Sequence, residues 1–181
     1  MSGIEGFAKN FTASLLTGHW TLLDIQAQFA ISALMCLIIM RLEFLDPAMR
    51  AIPQADRDWL RTQREPAKHW RIWIAQYNGL RGGDHWSRYC GIQIASQQPT
   101  QVFGPAHCNT QTTTMVLGRL CVHAFSSTEW KEFDGYEGLQ LSRIWPIAHP
   151  YINTASMPAV SDDVVLWLHE AVARTLKPYP G

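Results

Sequence analysis

Between Thr21 and Phe44 the apolar positions recur too densely for a single stripe. Leu23, Ala27, Ala30, Leu34, Leu37 and Leu42 fall on one side of a helical wheel, and Ile25, Phe29, Cys36 and Ile39 on others. The pattern predicts a central helix from about Leu22 to Phe44. Thr21 and Asp24 stand at capping-box spacing before it, and Asp46-Pro47 ends it. A second helix is expected from near Pro53 to before Pro66. There Arg57, Arg61 and Arg64 recur at i, i+4 and i+7 as a basic stripe, with Trp59 and Leu60 anchoring the other side. From Trp70 the period becomes two. "WRIWIAQY" sends Trp70, Ile72 and Ile74 to one face and Arg71, Trp73 and Tyr77 to the other.

The expected partner of that strand is "SRYCGIQI", in a hairpin whose tip carries Asn78-Gly79 and Gly82-Gly83. "QQPTQVFGPAHCN" reads as loop, and "TTTMVLGRLCVHAF" as the longest strand. An acidic, aromatic loop, "STEWKEFDGYEG", follows; "LSRIWPIAHPYI" is extended by its X-Pro steps. Ser161 caps a last helix with Asp162 and Asp163 at its start and Arg174 and Lys177 at its end, as the helix dipole favours.

This order predicts an α+β fold: a long buried N-terminal helix and a short second helix packed on an antiparallel sheet, with a C-terminal helix. One domain is expected over residues 1–181, with a helical part at 1–66, sheet and loops at 67–159 and the last helix at 160–178. The apolar run Phe29 to Met40, broken only by Ser32, is short against the ~20 residues a membrane span needs. Asp24, Gln26 and Gln28 in the same helix would be costly in lipid, so a core helix and no membrane span are expected. The four cysteines sit at no disulfide-framework spacing and no secretory signal is visible, which points to the cytoplasm.

Fifteen basic and fifteen acidic residues cancel, so net charge advertises no partner. Their distribution is less even: residues 41–119 are mildly basic and 129–170 clearly acidic. In the basic part, Arg57, Arg61, Arg64, Lys68, Arg71, Arg81 and Arg88 are interleaved with Trp59, Trp70, Trp73, Tyr77, Trp86 and Tyr89. Cations on phosphates and rings against bases are how single-stranded nucleic acid is held. The competing reading buries the rings and pairs the arginines with Asp56, Asp58 and Glu65.

"GPAHCNTQTTTMVLGRLCVHAF" brings two histidines and two cysteines together. Read as one strand, it turns Val116, Gly118, Leu120, Val122 and Ala124 to the core and Arg119, Cys121 and His123 away from it. His107, Cys108, Cys121 and His123 would make four zinc ligands if the loop folded back. Their spacing matches no zinc-knuckle pattern, and Arg119 opposes a cation. Cys108 or Cys121 with a histidine would also suit a thiol nucleophile, given a lowered pKa and an orienting third group. The structural reading of these residues is preferred, and no cofactor is expected; zinc is the alternative. Asp84-His85 and the acidic residues Glu129, Glu132, Asp134 and Glu137 are explained more cheaply by turn and solvated loop. Neither a phosphate-binding loop nor a dinucleotide, serine-hydrolase or zinc-protease motif occurs.

Three phrases, "LEFLDPAMRAIPQADRDWLRTQREPAKHWRIWIAQYNG", "NTQTTTMVLGRLCVHAFSS" and "RIWPIAHPYI", resemble the C-terminal part of bacterial and phage HNH-nuclease-like proteins. In those relatives a Glu-His pair and a C-x-x-C-N element lie upstream of a Trp-Met-Ser step, and "MSGIEGFAKNF" looks like the sequence just after it. The metal-binding motif has no counterpart here, so no catalytic residue carries over. The resemblance implies a module that accompanies a nuclease, or a shortened product of one, with nucleic acid as partner. The expectation is a non-catalytic binding or assembly module. The alternatives are a metal- or thiol-dependent enzyme centred on Cys108, Cys121 and His123, and a protein–protein subunit or homo-oligomer.

Overall fold

The computed structural model describes residues 3–80, 85–92, 94, 108–129, 133–136, 139 and 141–175. Its elements run α1 (Gly3–Leu16), β1 (Leu22–Leu23), α2 (Ile25–Leu42), α3 (Gln54–Gln63), β2 (Trp70–Tyr77), β3 (His85–Ile92), β4 (Thr110–Leu117), β5 (Leu120–Ser127), β6 (Ser142–Trp145), β7 (Ile152–Asn153), β8 (Ala159–Val160) and α4 (Asp162–Thr175). Helices pack on sheets that are antiparallel apart from one short pairing, which is the α+β class expected.

Asp24 starts the central helix, its Oδ1 accepting the Ala27 backbone N–H at 2.8 Å. Thr21 is drawn elsewhere: its N–H donates to Thr154 Oγ1 at 2.7 Å, and that hydroxyl donates back to the Thr21 carbonyl. Leu22 and Leu23 therefore extend as β1 and pair with β7, so the helix is shorter than its apolar run. Ahead of it lies α1, which the apolar pattern does not announce; it buries a narrow stripe of Ala8, Thr12 and Leu15.

By length and composition α2 could cross a bilayer. Its side chains Ile31, Met35, Cys36 and Ile39 are instead packed into one core with Ile72, Ile74, Met115 and Val122. Each fully buried aliphatic side chain of this kind contributes ~1.5–3 kcal/mol. Two polar groups on that face find distant partners: Gln28 Nε2 donates to the His149 carbonyl at 3.1 Å, and Ser32 Oγ to that of Ile144 at 3.4 Å, while Gln28 Oε1 is left unmatched among the described residues.

The main sheet has the order β3-β4-β5-β2-β6, with β8 added in parallel to β2. Here the expected hairpin is corrected. β2 pairs with β5, while β3 pairs with β4. The alternation in β2 holds, but both its faces are covered.

The expected longest strand is corrected too. It is two strands, β4 and β5, folded at a two-residue turn of Gly118 and Arg119. Gly118 takes φ +57°, the left-handed value such a turn asks of its first residue. The fold reverses the assumed parity. Leu120, Val122 and Ala124 do face α2, but Val116 pairs with Cys121 on the opposite face, beside Ala75. That second face is no solvent face. Cys121 and His123 are each 1% exposed, covered by Val160, Val165, Phe133 and Tyr136.

Candidate functional site

The basic stripe lies along a groove. α1, α2 and α3 enclose a space of about 520 Å³ walled by Arg41, Arg57, Arg61 and Arg64, with Leu37 and Leu60 among its apolar lining. Gly3, Ile4 and Arg64 continue it into a more apolar recess of about 440 Å³ beside Phe7 and Phe29. The groove exists because α3 buries little beyond Asp56 and Leu60 and leaves its i, i+4, i+7 arginines toward α2.

The three arginines differ in what holds them. Arg57 is a structural residue: its Nη1 donates to the Met40 carbonyl at 2.9 Å, and its Nη2 meets Glu43 Oε2. Arg61 is exposed and holds Asp58 at 3.2 Å across one turn, a pair worth little in water. Arg64 ends the helix in a left-handed conformation, φ 59°, its N–H returning to the Leu60 carbonyl. Its exposed guanidinium lies against Gly3 and has no acidic partner among the described residues. Arg41 pairs with Glu5 at 2.7 Å.

The rest of the predicted basic-aromatic surface does not gather there. Lys68 is exposed in the connection to β2. Arg71 lies on the far face of the sheet, its guanidinium held below its ordinary range by burial first and then by Arg143. Arg88 is exposed on β3 with its guanidinium 6.0 Å from the Trp86 ring. Arg81 lies outside the described residues. Trp70, Trp73 and Tyr77 are buried, so they offer no ring to a base. Of the acids expected to pair with the arginines, Asp58 does so. Asp56 instead takes the Trp70 indole N–H at 2.8 Å and lies 2.9 Å from His69 Nε2.

Sequence reasoning missed Glu43, a carboxylate with several partners. It is fully buried at the end of α2. Besides Arg57 it accepts the backbone N–H groups of Ala51 and Ile52 at 2.7 and 2.9 Å, and the Tyr89 hydroxyl at 2.5 Å. Burial and that bond hold the Tyr89 phenol far above its ordinary range, so it stays a donor. An acid closing an apolar helix was the one available signal.

Among the described residues the cysteines and histidines form no ligand set. Both nitrogens of His123 are engaged, Nδ1 with Thr114 Oγ1 at 2.9 Å and Nε2 with the Tyr136 hydroxyl at 2.8 Å. Its ring lies 5.7 Å from that of Trp73. Cys121 sits among apolar side chains, and burial pushes its thiol up to about 12. Cys108 is raised by burial first, with Glu43 and Asp46 adding to it. Both shifts run opposite to what a thiolate nucleophile needs. His107 lies outside the described residues, as do Gly82, Gly83, Asp84, Glu132, Glu137 and Lys177. Among the described residues no group of three His, Cys, Asp or Glu side chains is placed to hold a metal. Cys121 should therefore resist iodoacetamide at pH 8 in the folded protein and react fully in guanidinium chloride, read by peptide mass. Rapid native labelling would contradict the burial described.

No family model matches the chain, and neither a curated protein nor a solved structure is detectably similar to it.

Proposed function

We propose that the chain is a non-catalytic binding module whose arginine-walled groove takes single-stranded nucleic acid. The observation that carries this reading is the exposed pair Arg61 and Arg64 on the rim of an apolar-floored groove, Arg64 without an acidic partner among the described residues. Phosphates would meet these two guanidiniums, and base rings would lie on the floor at Ile4 and Leu37. The resemblance of three phrases to HNH-nuclease-like proteins implies the same partner. A metal- or thiol-dependent reaction at Cys108, Cys121 and His123 draws no support from these groups, since each His123 nitrogen is occupied and both thiols are raised.

Anisotropy of a labelled single-stranded oligonucleotide tests the proposal. Affinity is expected to fall roughly tenfold between 50 and 200 mM salt, and Arg61→Ala with Arg64→Ala to flatten the log–log salt slope by about 1.4. Binding that ignores both salt and the double substitution would sink it. Light scattering that shows self-association instead, with no oligonucleotide bound, would favour the assembly subunit.

A further inference from the structure

Trp73 is 4% exposed, yet its indole N–H makes no hydrogen bond among the described residues. Buried indole N–H groups ordinarily find an acceptor. The indole edge that carries it lies beside Gly135. A Cβ on Gly135 would stand 4.0 Å from Nε1, and Gly135, at φ +143°, carries none. Trp73 lines a cleft of about 460 Å³ with Asp134, Ser142, Arg143 and Asn153, and an adjoining space of about 330 Å³ with Gly135 and Leu141. These volumes suit a small molecule.

Arg143 supplies the charge. It lies opposite Trp73 in the β2–β6 register, on the same sheet face. Its Nη1 meets the exposed carboxylate of Asp134, and its buried Nε has no partner among the described residues. We propose that this cleft binds a small oxyanion, a carboxylate or phosphate, which accepts from the Trp73 indole N–H and from the Arg143 guanidinium, displacing Asp134. The site lies across the sheet from the arginine groove and stands independently of it. Guanidinium with an oxyanion is among the stronger hydrogen-bonded pairs, and Asp134 is the group it must outcompete.

The test is the Trp73 indole resonance in ¹H–¹⁵N spectra, assigned with Trp73→Phe and titrated at constant ionic strength. Succinate and inorganic phosphate are the probes, and they separate the two oxyanion classes; sodium chloride and glucose are the controls. A saturable downfield shift with one anion at millimolar concentration is expected. Arg143→Gln should weaken it at least tenfold, and Asp134→Asn should strengthen it. An indole signal unmoved by both anions, or moved equally by glucose or chloride, overturns the proposal. Should Arg143→Gln fail to fold, Asp134→Asn decides: unchanged or weaker binding there is equally fatal.

Discussion

Glu43→Ala should cost the fold about 3–5 kcal/mol, read as a lower urea midpoint at an unchanged slope. Four donors converge on this carboxylate: the N–H groups of Ala51 and Ile52, the Arg57 guanidinium and the Tyr89 hydroxyl. Alanine takes the acceptor from the buried Ala51 and Ile52 N–H groups and breaks the charge pair, while Arg57 keeps the Met40 carbonyl and Tyr89 the Met49 carbonyl. Each buried donor so orphaned costs ~1–3 kcal/mol, moderated by water entering the vacated space. Asp58→Ala is the matched control. It removes the exposed partner of Arg61 and should change stability by about 0–1 kcal/mol.

A second substitution separates the charge pair from the backbone bonds. Arg57→Met leaves Glu43 with three of its donors and should cost less than Glu43→Ala. Combining the two should not restore stability, because the Ala51 and Ile52 N–H groups are still unmatched. Full recovery in the double variant would mean that the ion pair alone carried the effect. This carboxylate also explains the shape of the groove. By holding Arg57 against the end of α2, it leaves Arg61 and Arg64 as the exposed arginines of α3 along the groove.

What could be read along the chain was local. The stripe of Arg57, Arg61 and Arg64, the alternation of β2 and the acidic start of α4 follow from near neighbours, and all are present. What could not be read needed a distant partner. Arg57 finds Glu43 fourteen positions away, and Thr21 leaves its helix for Thr154, on the far side of the chain. α1 escaped because Gly3 and Gly6 weaken its helical signal and its buried stripe is narrow, with Thr12 in the middle. The β2–β3 hairpin was predicted from turn residues alone, while pairing was decided by burial: β5 is apolar enough to sit in the sheet centre and displaces β3 to the edge. The Trp73 cleft was illegible, since alternation marks Trp73 as opposite to Ile72 and Ile74 but says nothing of an unmatched N–H.

The hardest misreading, a single strand across "TTTMVLGRLCVHAF", yields the second large prediction. Gly-Arg is not among the strong hairpin dipeptides, and the apolar run on either side hides the change of face. In the fold that turn is pinned from outside: the Arg119 N–H donates to the Leu16 carbonyl at 3.0 Å, at the end of α1. A Cβ at Gly118 would lie 2.2 Å from that same oxygen. Gly118→Val therefore faces two costs. The left-handed φ strains a β-branched residue by ~1–3 kcal/mol, and the clash forces α1 away and breaks the Arg119 bond. A total loss of about 3 kcal/mol or more is expected by urea denaturation. Gly6→Ala, where a Cβ meets nothing within 4 Å inside α1, should instead stabilise by roughly 0.5–1 kcal/mol. If Gly118→Val proved as harmless as Gly6→Ala, the strand would run straight through residue 118, and Cys121 and His123 would return to the face on which alternation alone had placed them.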